Sequence, residues 1–378
     1  MPSDLITEFM KRMNKDLAKK VKKGDPSIRI TTGDDVQLAS HVPFGLPSGI
    51  PQFDLAISKP GYPAGRIMEF FGSPHSGKTT AALHAIASCQ RLGGVAMYLD
   101  TECTFAESRT RARKCGVDID NLQMPEEVET LEQIFDCIES FLTTLEEMEW
   151  KGPSIVVVDS ITAVESEGNA EKKIREEARV GQDARVIRRA LRKLTYKISK
   201  QKTCAIFVNH AIANIGFGNP KTSAGGNALK FWSSLRIDFT FLHNLVEGKK
   251  SEGNRKYQGQ NIQISVAKNK VSRTSSPEFE VPNLVDGFNI YASLFEAFRS
   301  IGTIEEINQK SYHYKHSSTT FQTKEWPTLV QSMGGPDQVY DFFLAEAQRL
   351  KKITPYGEDD DSETLTVVPM DDIEADDD

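Results

Sequence analysis

The stretch that decides the fold is "GRIMEFFGSPHSGKTTAALHAIASCQRL", residues 65–92. Its first eight residues form an apolar run typical of a buried strand, and 79–92 carry apolar residues at helical spacing. Between them, "GSPHSGKTT" fits the pattern G-x-x-x-x-G-K-[ST]. A strand, a glycine-rich loop and a helix in this order predict a phosphate-binding loop, because backbone N–H groups and the helix N-terminus surround an anion there.

We expect this loop to bind ATP and Mg²⁺. Lys78 should reach the β- and γ-phosphates, and the Thr79 hydroxyl should ligate the metal ion. The predicted nucleotide contacts are Gly72, Ser73, Pro74, His75, Ser76, Gly77, Lys78, Thr79 and Thr80.

Two carboxylates follow other predicted strands. Asp159 ends "SIVVVD", the position from which an acid holds Mg²⁺ through water. Glu102 comes just after the strand in "YLDTE" and is better placed than Asp100 to deprotonate a water beside the γ-phosphate. We therefore predict Glu102 as the catalytic base.

The rest of the chain from about 45 to 286 alternates apolar strands with helical segments. "VAMYLD" (95–100), "SIVVVDS" (154–160) and "CAIFVNH" (204–210) are near-continuous apolar runs, typical of parallel strands covered on both faces. Residues 236–243 and 261–268 alternate with period two, which predicts a hairpin. The pattern predicts an α/β fold, a P-loop NTPase core with a mostly parallel central sheet.

Composition and charge limit the class of protein. No apolar run approaches the roughly 20 residues that span a bilayer, and the N-terminus has no signal-peptide core. The five scattered cysteines favour neither a disulfide framework nor a zinc site, so we expect a cytoplasmic protein without membrane contact and with no metal site of its own.

The net charge is −7, but residues 357–378 hold eleven acids, so the remaining chain is −7 + 11 = +4. A basic body with an acidic tail is typical of nucleic-acid-binding proteins, although a tail that only aids solubility is the alternative.

Four regions are predicted. Residues 1–44 hold a basic amphipathic helix over 4–23 and a Gly/Pro-containing linker, and this apolar stripe packs either on a neighbouring protomer or back on its own core. Residues 45–286 form the ATPase core, 287–356 a smaller α/β domain, and 357–378 a disordered acidic tail.

A set of ordered motifs is more selective than the P-loop. It comprises "GSPHSGKTT", "YLDTE", "GVDIDNL" (116–122), "VVVDS", "FVNH", "FGNPKTSAGGNALKFWSSLRID" (217–238) and "AKNKV" (267–271). Over about 40–300 this set resembles the bacterial RecA recombinase family. The resemblance implies a helical filament on single-stranded DNA that catalyses homologous pairing and strand exchange, with DNA-stimulated ATP hydrolysis, in recombination and repair. It also implies that the N-terminal helix joins protomers and that the C-terminal domain meets duplex DNA. Single-strand-binding and mediator proteins are possible partners of the tail.

Residue roles follow by position. The resemblance gives Asp159 as the Walker B acid and places Lys268 and Lys270 in the ATP site of the neighbouring protomer, with Phe231 packing across that interface. DNA phosphates would contact Arg185, Arg192, Lys221, Gly225, Gly226 and Asn227.

Three departures from the family pattern stand out. His210 replaces the glutamine that senses the γ-phosphate; UvsX-like phage recombinases are similar here, so we expect a phage-encoded member. Arg111 replaces the tyrosine that stacks on adenine, and a guanidinium can also stack on a base. Ile212, Ala213 and Asn214 stand where basic residues are expected, which would shift DNA affinity to Lys221 or to the arginine-rich helix over 184–200.

Three other functions share parts of this pattern. A RecA-fold ring helicase would need a different trans-acting arginine, a small-molecule kinase would need an acceptor pocket, and a DNA-binding scaffold with a vestigial ATPase would not need Lys78, Glu102 and Asp159 intact.

Overall fold

The computed structural model describes residues 3–20, 30, 42–171, 181–213, 221–223, 226–248, 256–272 and 278–357. The chain divides into two compact units, residues 1–41 and 42–378. In these ranges no helix is both long enough and apolar enough to cross a bilayer.

The helices over the described residues alternate with strands through most of the second unit. They are α1 Ser3–Lys20, α2 Pro51–Ile57, α3 Lys78–Arg91, α4 Phe105–Lys114, α5 Leu131–Glu147, α6 Glu167–Ala170, α7 Gln182–Lys200, α8 Ala228–Trp232, α9 Ile290–Ser300, α10 Trp326–Ser332 and α11 Pro336–Arg349.

The strands over the described residues form three sheets. They are β1 Gly45–Leu46, β2 Tyr62–Pro63, β3 Ile67–Gly72, β4 Val95–Asp100, β5 Leu122–Gln123, β6 Ser154–Asp159, β7 Cys204–Ala213, β8 Lys221–Ser223, β9 Leu235–Glu247, β10 Lys256–Asn269, β11 Glu278–Leu284, β12 Gly287–Phe288, β13 Ile304–Asn308, β14 Ser311–Tyr314 and β15 Thr319–Gln322.

The central sheet has the order β12-β11-β10-β9-β3-β7-β6-β4-β5, with β8 paired to β7. The strands from β9 to β5 are parallel, whereas β9, β10, β11 and β12 form an antiparallel meander. The predicted α/β class with a mostly parallel sheet is confirmed, and the predicted hairpin over 236–243 and 261–268 is part of β9 and β10. Because parallel strands all end at one edge, the loops after β3, β4, β6 and β7 meet there.

Two apolar layers cover the sheet. Met68, Phe70 and Val208 point into a cluster that includes α3, and Ile67, Phe207 and Val158 point into a cluster formed with α5 and α7. Successive residues of each strand therefore face different layers, as the two-residue period of a strand requires. The near-continuous apolar runs of the sequence reflect this double burial.

A separate apolar core lies in the C-terminal part. Helices α9, α10 and α11 pack with the three-stranded sheet β13–β15 around aromatic side chains such as Phe298, Tyr314 and Trp326. The Tyr340 hydroxyl on α11 donates to the buried Asp54 carboxylate on α2, and so this part is tied to the ATPase core.

In the first unit, α1 exposes the apolar side chains of Leu5, Ile6, Phe9 and Met13. Asn14 Nδ2 donates to the carbonyl of Ile30 at 2.8 Å, and Asn14 Oδ1 accepts from the backbone N–H of Ile30 at 2.7 Å. Most of the predicted acidic tail (358–378) lies outside the described residues, as do 172–180, 214–220 and 224–225 of the predicted DNA loops.

Candidate nucleotide and DNA-binding sites

The phosphate-binding loop connects β3 to α3. Gly77, just before α3, has φ of 90°, a left-handed conformation that favours glycine. The Ser76 hydroxyl donates to the carbonyl of Ser73 at 2.7 Å and closes the turn. The backbone N–H groups in the first turn of α3 therefore face the loop, and these groups bind phosphate at a helix N-terminus.

Lys78 lies inside this loop. Its ammonium donates to the carbonyls of Ser73 (2.7 Å) and Gly72 (3.1 Å), and burial lowers its pKa, an effect that Asp159 and Glu102 oppose. Its ammonium also contacts the Ser76 hydroxyl at 3.5 Å. A buried ammonium whose described hydrogen-bond partners are all neutral oxygens is available to pair with phosphate oxygens.

Thr79 and Asp159 lie side by side. The Thr79 hydroxyl donates to Asp159 Oδ2 at 2.7 Å, and the Tyr98 hydroxyl donates to the same oxygen at 3.0 Å. Burial raises the pKa of Asp159, and these two hydrogen bonds partly offset that effect. The hydroxyl and carboxylate are hard oxygen donors, the kind of ligand that Mg²⁺ prefers.

Glu102 belongs to a three-residue network. The Ser160 hydroxyl donates to Glu102 Oε1 at 2.7 Å, and His210 Nε2 lies 3.0 Å from that oxygen. Ser160 follows Asp159 through a cis peptide bond. Its hydroxyl oxygen lies 3.4 Å from His210 Nε2. The structure therefore brings the predicted base and the predicted γ-phosphate sensor into direct contact, which the sequence did not predict.

A cavity of about 570 Å³ joins these groups, a volume in the range of small-molecule sites. Its wall contains the loop residues 74–80 together with Glu102, Asp159 and His210. Arg111 lines it from α4, where its guanidinium donates to the Thr80 hydroxyl at 3.2 Å. The donor set, a glycine loop, a buried lysine and paired hydroxyl and carboxylate oxygens, fits ATP with Mg²⁺. Within the described ranges no group of three or more His, Cys, Asp or Glu side chains could hold a metal ion.

Two groups of residues were not predicted from the sequence. Tyr257, Gln260 and Asn283 line the cavity from β10 and β11, and their register could not be read from the sequence. The other group is a buried ion pair on β3 and β9, where Arg236 Nε donates to Glu69 Oε2 at 2.5 Å. A single carboxylate in the apolar run 65–72 was the available signal, because a buried charge needs a partner.

Asn209, the residue before His210, contacts the same carboxylate. Its amide donates to Glu69 Oε1 at 2.8 Å, and its Oδ1 accepts from the backbone N–H of His210 at 2.8 Å. Since 209 and 210 face opposite sides of β7, the buried carboxylate lies on one side of the sheet and the nucleotide cavity on the other.

Some of the residues expected to bind DNA lie on α7 or next to its first turn. Arg185 and Arg192 are exposed on this helix, and Asn227 is exposed at the start of α8. A Cβ on Gly226 would lie 3.0 Å from Cβ of Ala184, so the end of the second loop adjoins the first turn of α7. The backbone of Lys221 pairs with Ala213 in β8, whereas Gly225 lies outside the described residues.

Lys268, Lys270 and Phe231 lie apart from the cavity of their own chain. Lys268 donates to the carbonyls of Lys230 (2.5 Å) and Phe231 (3.3 Å) at the end of α8, and burial lowers its pKa, as does the neighbouring Lys270. The Phe231 side chain is 71% exposed. None of the three lines the nucleotide cavity.

Comparison with known proteins agrees with this architecture. A family model described as the RecA N-terminal domain matches residues 12–281. Protein RecA of Heliobacterium modesticaldum is 36% identical over 276 residues, 71% of this chain and 74% of that protein. Protein RecA of Porphyromonas gingivalis is 39% identical over 229 residues (60% and 63%), and that of Macrococcus caseolyticus is 38% identical over 266 residues (70% and 70%). The chain belongs to the RecA family.

Proposed function

We propose that this chain couples ATP hydrolysis to DNA strand exchange through the residues gathered at the carboxyl edge of its central sheet. As a RecA-family member it is an ATP-dependent DNA recombinase and a DNA-dependent ATPase that uses Mg²⁺, and it acts in recombination and repair. The family assignment disfavours the ring-helicase alternative. The observation that carries the coupling is the contact between His210 and Glu102, because it joins the strand leading to the second DNA loop with the hydrolytic carboxylate.

The cavity residues that the sequence predicted each have a proposed role. Lys78 and the N–H groups of the loop would bind the phosphates. Thr79, and Asp159 through water, would hold Mg²⁺, and the ion would supply positive charge to the phosphate oxygens. Glu102 Oε2 is the oxygen not used by Ser160 and His210. We propose that it accepts a proton from the attacking water while the water oxygen bonds to the γ-phosphorus and the bond from that phosphorus to ADP breaks, which leaves ADP and phosphate. Arg111 supports the nucleoside end of the cavity.

The remaining roles concern assembly. RecA-family proteins bind single- and double-stranded DNA and form filaments. We assign the exposed apolar stripe of α1 and the exposed Phe231 to contacts between protomers, and Lys268 with Lys270 to the ATP site of the adjacent protomer. Positive charge supplied across an interface would make a complete site depend on assembly. We assign 1–44 to polymerisation, 45–286 to the ATPase core and 287–356 to duplex capture.

Cytoplasmic location and a phage origin stay predictions. The acidic tail over 357–378 is proposed to compete with DNA for basic surfaces and to recruit single-strand-binding and mediator proteins. Deleting 357–378 should raise duplex affinity at low Mg²⁺, because the competing charge is lost. A gel-shift titration measures this, and equal affinity with and without the tail would leave only a solubility role.

One experiment tests the central proposal. ATP hydrolysis is measured with and without single-stranded DNA for the wild type and for Glu102→Gln, together with joint-molecule formation. The wild type should show stimulated hydrolysis and strand invasion. Glu102→Gln should bind ATP normally while hydrolysis falls by about 100-fold or more, the usual contribution of a general base. Wild-type turnover in Glu102→Gln, or wild-type hydrolysis without DNA stimulation and without joint molecules, would contradict the proposal.

A further inference from the structure

We infer that the outer face of α7 is an extended binding surface for single-stranded nucleic acid, of which Arg185 and Arg192 are only two members. The surface, called the α7 arginine face below, consists of Arg185, Arg188, Arg189, Arg192 and Tyr196. The inference rests on the proposed function and adds the three residues that no family pattern supplied.

Helical geometry places these five side chains together. At 3.6 residues per turn they fall within an arc of about 100° and extend over about 16 Å along the axis. All five are exposed, and Tyr196 is 65% exposed. The opposite side of α7 carries the buried core residues Ile187, Leu191, Leu194 and Ile198.

The lysines and the arginines of α7 differ in whether they form ion pairs with acidic side chains. Lys193 and Lys197 contact Glu139 on α5 at 2.5 and 2.7 Å, and Lys200 contacts Glu146 at 2.6 Å. In contrast, the four arginines of the α7 arginine face form no ion pair with any described residue. Arginines at spacings of three and four residues repel one another, and no acidic side chain of the described residues pairs with this cluster to offset that repulsion. A polyanionic ligand would balance it.

The position of the face indicates which ligand. The first turn of α7 adjoins Gly226, so the face continues from the exposed Asn227 at the end of the second loop. The sequence also lacks basic residues at 212–214, before that loop. Guanidinium groups pair with phosphates, and an exposed tyrosine among them provides a surface on which an unpaired base stacks. Bases in a duplex are already stacked on one another, so the tyrosine favours a single strand.

The first test compares two double variants that remove the same net charge. Affinity for a labelled single strand is measured by anisotropy over a salt series, with Mg²⁺ and a slowly hydrolysed ATP analogue. Arg188→Ala with Arg189→Ala should reduce the slope of log affinity against log salt by about 1.4, since each phosphate contact to a single strand contributes about 0.7. Lys193→Ala with Lys197→Ala, on the paired side of the same helix, should leave the slope unchanged.

The second test concerns the aromatic residue. Tyr196→Ala should weaken single-strand binding about fivefold or more, and Tyr196→Phe should restore it, because stacking needs the ring and not the hydroxyl. Thermal unfolding of every variant checks that it is folded. Equal slopes for the arginine and lysine double variants, or wild-type affinity for Tyr196→Ala, would overturn the inference.

A third double variant distinguishes failure of this inference from failure of the proposed function. Arg185→Ala with Arg192→Ala probes the contact carried over from the family. If that variant loses affinity while Arg188→Ala with Arg189→Ala does not, only the extension is wrong. If it keeps full affinity, the proposed DNA contact itself is wrong.

Discussion

Glu102 Oε1 accepts hydrogen bonds from two side chains at once, Ser160 and His210. A carboxylate oxygen engaged in this way is held in position by its two donors. If His210 turned to the γ-phosphate, one donor would leave the carboxylate. The same movement would displace the end of β7, which leads to the second DNA loop. At the scale of single residues, His210 is therefore the exchangeable partner of the base.

The first prediction concerns this exchange. His210→Ala should bind ATP and single-stranded DNA but lose DNA-stimulated hydrolysis, because the link between the loop and Glu102 is removed. His210→Gln should recover stimulation, since an amide can donate to either the carboxylate or a phosphate oxygen. The ratio of hydrolysis rates with and without DNA is the measurement. Full stimulation in His210→Ala would show that another group couples the two sites.

Most members of this cluster could be predicted from the sequence, but their contacts could not. Lys78, Thr79 and Asp159 follow from motif and strand position, since the carboxyl ends of parallel strands meet at one edge. The position of Ser160 against Glu102 depends on the conformation of the turn after β6, which short-range patterns do not specify. Tyr98 donating to Asp159 is likewise a contact between neighbouring strands whose pairing depends on the whole sheet.

At the scale of elements, β3, β7 and β9 are joined by Glu69. Its carboxylate accepts from Asn209 and Arg236, and the Arg236 guanidinium lies over the Phe71 ring at 4.5 Å. Three adjacent strands thereby share one buried charge. In the register of the sheet Arg236 on β9 lies opposite Lys268 on β10, so the strand with the lysine proposed to act on the next protomer is paired with the strand that carries the buried arginine.

Glu69→Gln tests the buried pair. The change leaves Arg236 buried without its counter-ion, and breaking such a pair costs about 3–5 kcal/mol. Glu139→Gln is the matched control, because Glu139 pairs with two lysines at the surface and its loss should cost about 1 kcal/mol or less. The free energy of unfolding from urea titration distinguishes them, and equal losses would show that burial of Glu69 adds nothing.

The order of strands and helices along the chain was predictable because apolar runs and helical periodicity alternate clearly. β7 is longer than predicted, ending at Ala213, and pairs with β8. The pattern 204–210 gave no signal for that extension, because Ala211, Ile212 and Ala213 lead into the glycine-containing stretch 214–220, which has no clear periodicity. The contact between Gly226 and α7 joins residues about 40 positions apart in sequence, which no local pattern encodes.

At the scale of the whole molecule, the C-terminal core is fastened to the ATPase core by a buried polar contact. Tyr340 donates to Asp54, and burial raises the pKa of Asp54 to about 7. A carboxyl with a raised pKa in the folded state contributes stability that is present below its unfolded pKa and is lost as pH rises through the folded value. The contribution of Asp54 to the free energy of unfolding should therefore fall as the pH rises from about 4 to about 7.

Asp54→Asn tests this. The amide keeps an acceptor for Tyr340 but cannot ionise, so the variant should lose this part of the pH dependence and be more stable than the wild type by a few kcal/mol at pH 8. Thermal midpoints at about pH 5 and about pH 8 give the comparison. Parallel pH profiles for the two proteins would contradict the assignment.

The register of β3 with β7 limits which mutations this protein can accumulate during evolution. Gly72 of the phosphate loop is the ladder partner of His210, and Asn209 points to the opposite side of the sheet. Inserting or deleting one residue in 204–209 would exchange the two sides, turning an amide towards the nucleotide and an imidazole towards Glu69. Substitution at 210, from glutamine to histidine for example, leaves this arrangement intact. We expect lineages of this protein to vary in the chemistry of the sensor, but not in the length of the strand that carries it.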